Sequence, residues 1–101
     1  MFGLCARFTC KDEASARAYD RLVAQTVERI KADEPGTLIY ACHRVDGQPL
    51  QRVFYELYQD KAAFDAHEAA PHTRRYLAER GRYLAATEVA WLTLQTGKGT
   101  G

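Results

Sequence analysis

The first apolar residues of the chain alternate. In FGLCARFTC, Phe2, Leu4, Ala6, Phe8 and Cys10 share one face of an extended segment, and Gly3, Cys5, Arg7 and Thr9 share the other, which predicts a strand. The period then changes. Tyr19, Leu22, Val23, Thr26, Val27 and Ile30 recur at three-and-four spacing, predicting an amphipathic helix that Asp12 caps and Asp33-Glu34-Pro35-Gly36 stops. Proline disfavours helical geometry in the residue before it, and glycine permits the sharp turn that follows. Thr37 to Val45 and Leu50 to Tyr58 are rich in aromatic and β-branched residues, and Asp46-Gly47-Gln48-Pro49 between them is turn chemistry, so a β-hairpin is predicted. Asp60 can cap a short helix carrying Phe64 and His67. Pro71 restarts the helix, with Tyr76, Leu77, Arg80, Tyr83 and Leu84 at helical spacing, and residues 87–95 form the last strand.

The order is β-α-β-β-α-β with a helical pair in the second α position. That is the ferredoxin-like split arrangement, an α+β fold on an antiparallel sheet. One domain over residues 1–95 is expected, followed by a flexible C-terminal tail, 96–101, with nothing to bury. One feature goes beyond the fold class. Val53, Tyr55 and Leu57 face one way while Phe54 and Tyr58 face the other, and Leu38, Tyr40 and Cys42 oppose Ile39 and Ala41. Both faces look apolar, but helices on one side cover only one of them. A homodimer joined through the sheets is therefore expected.

Composition narrows the function classes. A chain that is 47% apolar and 27% charged belongs with packed globular domains. The net charge of +1 and the mixing of Glu79 among Arg74, Arg75, Arg80 and Arg82 argue against nucleic acid. No run approaches the length that spans a bilayer, and the N-terminus lacks a leader pattern, so a cytoplasmic protein without a membrane partner is expected. Cys5, Cys10 and Cys42 are odd in number and lack C-x-x-C spacing, which suggests reduced thiols.

Candidate chemistry gathers in AHEAAPHTRRY, residues 66–76, where two of the three histidines flank Pro71. His67 and His72 are five apart, about 140° around a helix, with the proline between them, so no shared metal is expected. His72 near a helix start would be kept neutral by the helix dipole and suits a base, with Tyr76 four residues on along the same face. A Pro-His pair can equally cap and pack the turn. His67, one turn after Phe64, is either a pocket residue or a core histidine. Glu56, mid-strand among apolar neighbours, is either an ion-pair partner for Arg52, Arg74 or Arg75 or a second base with a raised pKa. Tyr40, Tyr55, Tyr58 and Trp91 suit either an aromatic pocket or the core. No G-x-G-x-x-G marks a dinucleotide site.

Taken together, Glu34-x-Gly36 followed by Tyr40, Glu56-x-Tyr58-x-Asp60, and Ala66-His67-x-x-x-Pro71-His72 with Tyr76 resemble the antibiotic biosynthesis monooxygenase family, particularly its small quinol-monooxygenase-like members. The resemblance covers roughly residues 2–95. It implies a dimeric α+β barrel with a pocket between sheet and helices. It also implies oxygenation of a small phenolic, quinol or polyketide-like aromatic molecule, with O2 as co-substrate and no metal, flavin or haem. On this reading His72, His67 and Tyr76 are the catalytic candidates, and Tyr40, Glu56, Phe64 and Trp91 contact substrate. Haem-degrading relatives carry an Asn on the first strand, a Trp where His67 stands and an axial His. This chain has no Asn and has Leu77 near the axial position, which disfavours haem. Two alternatives stay open: an isomerase of a small carbonyl compound, with Arg74 and Arg75 available for a phosphate, and a non-catalytic module that binds an aromatic metabolite.

Overall fold

The computed structural model describes residues 1–99. Its elements run β1 (Phe2–Cys10), α1 (Glu13–Asp33), β2 (Thr37–Val45), β3 (Gln48–Tyr58), α2 (Lys61–Ala69), α3 (Pro71–Glu79), a 3-10 turn (Arg80–Arg82) and β4 (Leu84–Thr93). All strand pairs are antiparallel, in the order β2-β3-β1-β4, the ferredoxin-like arrangement expected from the sequence. Residues 94–99 hold no helix or strand, and the last two positions of the expected tail lie outside the described residues.

Local chemistry explains the helix ends. The Asp12 carboxylate accepts from the Ser15 amide at 2.7 Å and caps α1, and Asp60 does the same for α2 through the Ala63 amide at 2.8 Å. Pro71, at the first turn of α3, supplies no amide that would need a partner there. The α1 stripe Tyr19, Leu22, Val23, Thr26 and Ile30 is buried against the inner sheet face, where Leu4, Ala6, Phe8, Phe54 and Tyr58 meet it. Phe54 packs edge-on to Phe8, Tyr19 and Tyr40, with ring centroids 5.3 to 6.4 Å apart. Burying each such ring contributes roughly 2 to 3 kcal/mol, which makes this aromatic group the main source of cohesion between sheet and helices.

Three boundaries differ from expectation, one of them the end of β4, which stops at Thr93 and not at residue 95. The hairpin turn is only Asp46-Gly47, with Gly47 at φ 78°, and Val45 pairs with Gln48, so Pro49 lies inside β3. It is tolerated because the register shifts between Arg44 and Val45 and leaves it in a bulge. Leu84 opens β4, which starts three residues earlier than predicted, because β1 pairs with it through Cys10. The pairing decided that boundary, and side-chain spacing alone could not.

The outer sheet face carries Cys5, Ile39, Ala41, Val53, Tyr55, Leu57, Ala90 and Leu92, residues whose register partners alternate with the inner set. All three helices pack on the opposite side. Among the described residues no helix is long and apolar enough to cross a membrane.

Candidate functional site

On the helix side, an inner and an outer cavity meet at one imidazole. The inner cavity, about 180 Å³, sits between the sheet and α2-α3. Its walls include Tyr40, Glu56, His67, Tyr76, Arg80 and Trp91. The outer cavity, about 340 Å³, lies where the turn after α1 meets the α2-α3 junction, and Glu34, His67 and His72 stand on its wall. His67 borders both.

The position of His67 is set from both sides. The period of α2 turns it inward with Phe64, and its ring packs 5.4 Å from Tyr40 and 5.3 Å from Tyr58. Its Nδ1 lies 2.8 Å from Glu34 Oε1 and 3.4 Å from the Thr73 hydroxyl. Glu34 comes from the C-terminus of α1, held close to α2 because Gly36 lacks a side chain: a Cβ there would lie 2.7 Å from Ala63 Cβ. Burial pushes the Glu34 pKa up, but donation from Thr37, His72 and His67 outweighs it and holds the carboxyl below its usual range. Glu34 is therefore the acceptor, and His67 donates Nδ1–H to it. In the neutral ring that leaves Nε2 as an acceptor on the edge away from Glu34. Among the described residues no sealed side-chain polar atom lacks a partner, so this unpartnered Nε2 opens onto cavity space.

Glu56 lies across the inner cavity. Burial pushes its pKa up to about 7, against the opposing effect of the hydrogen bond it accepts from the Tyr58 hydroxyl. The cause is dehydration of the carboxylate among Leu4, Tyr40 and Tyr76. The result is an acid-base group poised near neutrality. Burial also raises the pKa of Tyr40 and Tyr76, so both stay protonated and act as donors. The Tyr76 hydroxyl meets that of Tyr19 at 2.6 Å. Arg80 stacks 5.6 Å over the rings of both Phe8 and Tyr76 and brings positive charge to the same cavity.

The structure thus gathers His67, Tyr40, Glu56, Tyr76 and Trp91 around one space. Trp91 stands 61% exposed at its edge. It does not place all the candidates there. His72 hydrogen-bonds to Glu34 through Nε2 and lines the outer cavity, away from the one Tyr76 lines, because the break at Ala70 reorients α3 relative to α2. Phe64 lies on neither wall and packs among Phe2, Tyr58 and Trp91. The ion pair considered for Glu56 does not form. Arg52 is bound through two contacts, 2.8 and 3.0 Å, to Asp20, and Arg74 and Arg75 lie off the inner cavity. Sequence reasoning missed two members. Glu34 enters the sequence reading only as part of the helix stop and of the Glu34-x-Gly36 motif, and Arg80 only as a residue at helical spacing in a mixed-charge group.

The same architecture occurs in solved structures. A candidate antibiotic biosynthesis monooxygenase from Caulobacter crescentus superposes with a TM-score of 0.87 at 23% identity, covering 94% of this chain and 90% of that one. Rv0793 from Mycobacterium tuberculosis gives 0.86 at 22% identity, over 96% and 97% of the two chains. A third structure, of an antibiotic biosynthesis monooxygenase, gives 0.83 at 26% identity, over 95% and 100%. No curated protein sequence matches. The family model described as antibiotic biosynthesis monooxygenase matches residues 1–79, a span that carries the Glu34, Glu56, His67 and His72 positions. With that match over most of its length, the chain belongs to the antibiotic biosynthesis monooxygenase family.

Proposed function

We propose that this protein oxygenates a small phenolic, quinol or polyketide-like aromatic molecule with O2, using its side chains alone and no metal, flavin or haem. The observation that carries the reading is the inner cavity, where the His67 imidazole and a carboxyl near neutrality line one aromatic-walled space. Family membership supports monooxygenase chemistry as the class.

The proposed chemistry starts with loss of the substrate's hydroxyl proton to His67 Nε2 or Glu56. A phenol near pKa 10 giving its proton to Glu56, near 7, costs about 4 kcal/mol. Arg80 and the Tyr40 hydroxyl offset part of this by stabilising the anion. Glu34 holds His67 in the tautomer that can accept, and stabilises the imidazolium that results. The anion passes one electron to O2, and the two radicals combine at a ring carbon. The O–O bond then breaks, one oxygen leaves as water with the hydroxyl proton and the carbon's proton, and the other stays on the product. For a simple phenol, phenol plus O2 gives quinone plus water.

The apolar outer sheet face supports a homodimer through the sheets, since a lone chain would leave that face uncovered, with Leu92 on it 39% exposed. A monomer in sedimentation at micromolar concentration would refute that part.

One observation keeps the isomerase reading alive: a carboxyl near pKa 7 opposite a histidine can also shuttle a proton α to a carbonyl. Metal-free protein offered hydroquinones and polycyclic phenols should consume O2 above a heat-denatured control, and His67→Ala should lower that rate at least about 100-fold. Turnover that continues under nitrogen would favour the isomerase. Ligand binding without turnover would favour a carrier.

A further inference from the structure

The outer cavity has its own chemistry. Glu34, His67 and His72 come from three segments: the end of α1, the last turn of α2 and the first turn of α3. Their donor atoms lie within 4.8 Å of one another. Their side chains are 8%, 5% and 10% exposed, and all three line the cavity of about 340 Å³, which leaves room for water beside them. The arrangement is built. Thr37 donates to Glu34 at 2.7 Å, and the Gly36-Ala63 contact fixes the distance between the first two segments. Asp33, also on this wall, is tied to Arg29 at 3.4 Å and is not counted as a donor.

We propose that Glu34, His67 and His72 form a binding site for one divalent first-row transition-metal ion of the zinc type, with water completing its coordination from the outer cavity. Two imidazole nitrogens and one carboxylate oxygen suit such an ion, and metal-ligand bonds of about 2.0 to 2.2 Å require the three donors to draw together by roughly an ångström from their outer limit. Side-chain rotation suffices for that, because the two histidines sit on short helices joined at Ala70 and Glu34 stands at the free end of α1. The ion replaces the two hydrogen bonds to Glu34 by coordination.

The site has a consequence for the inner cavity. In the metal-free protein Nδ1 of His67 carries the proton and Nε2 accepts. A metal on Nδ1 moves the proton to Nε2 without net proton release, and Nε2 becomes a donor. Metal binding therefore removes His67 as a base for the proposed reaction and leaves that role to Glu56. The site itself stands on geometry and does not depend on the oxygenase reading.

The test is calorimetric titration of ZnCl2 into the full chain after chelator treatment, with CoCl2 followed by visible absorption as the second probe. The expected result is saturable binding of one ion per chain, weakened at least about tenfold in both Glu34→Gln and His72→Ala and unchanged in His43→Ala, which removes the exposed third histidine. Circular dichroism checks that each variant folds. Should Glu34→Gln fail that check, His72→Ala decides alone. Absence of saturable binding, or binding that survives His72→Ala and is lost in His43→Ala, overturns the proposal. Because binding is measured without substrate, a failed oxygenase reading leaves this result interpretable.

Discussion

Replacing Glu56 with glutamine isolates the energetic cost of a buried carboxylate. In the unfolded chain the group titrates near 4.5, and in the fold burial raises it to about 7. Because the folded value is the higher one, the folded state holds the proton more tightly. The associated stability is fully present below pH 4.5 and is lost as the pH rises through 7. The difference between these two values corresponds to roughly 3 kcal/mol, a large share of the marginal stability of a domain this size. Glu56→Gln keeps an acceptor for the Tyr58 hydroxyl and removes the ionisation. The variant should match the parent near pH 4 and exceed it by about 3 kcal/mol at pH 8, about 12 to 24 °C in Tm. Urea denaturation followed by circular dichroism, at fixed protein concentration from pH 4 to 8, measures this directly. Parallel pH profiles for parent and variant would refute the argument, because they would mean that Glu56 stays hydrated or finds a cation in the fold.

Other perturbations test the framework around the cavities. Asp20→Ala leaves the 5% exposed Arg52 guanidinium without its two-point partner and should cost about 2 kcal/mol in chemical denaturation; a neutral result would mean that the Pro49 and Gln51 carbonyls satisfy it alone. Gly36→Ala forces a methyl against Ala63 and should destabilise by about 1 to 3 kcal/mol, with partial recovery in the Gly36→Ala, Ala63→Gly double variant; lack of recovery would place the strain elsewhere. Glu34, whose carboxyl is held below its usual range, contributes stability above pH 4.5 that is lost as the pH falls further, so Glu34→Gln should flatten the acid limb of the stability profile.

Much of the fold was legible because it rests on short-range signals. The strand alternation of Phe2–Cys10, the Asp12 and Asp60 caps, the Pro-Gly stop and the restart at Pro71 each act within a few residues, so their physics is written in adjacent letters. The start of β4 at Leu84 and the place of Pro49 inside β3 were not legible, since both depend on a partner strand's register. The candidate site divides the same way. His67 and Tyr76 could be nominated from helical period, and Glu56 from the cost of a mid-strand carboxylate. The contact of Glu34 with His67 and His72, 33 and 38 residues away, has no local signature. Nor does the position of Arg80 over Phe8, which makes this arginine part of a cavity wall. The sequence by itself determined the elements, their order and the chemical groups available. Only the tertiary structure decided which groups share a space, because distance and dehydration arise from chain segments that meet after folding. Those two quantities give Glu56 its raised pKa and His67 its unpartnered nitrogen.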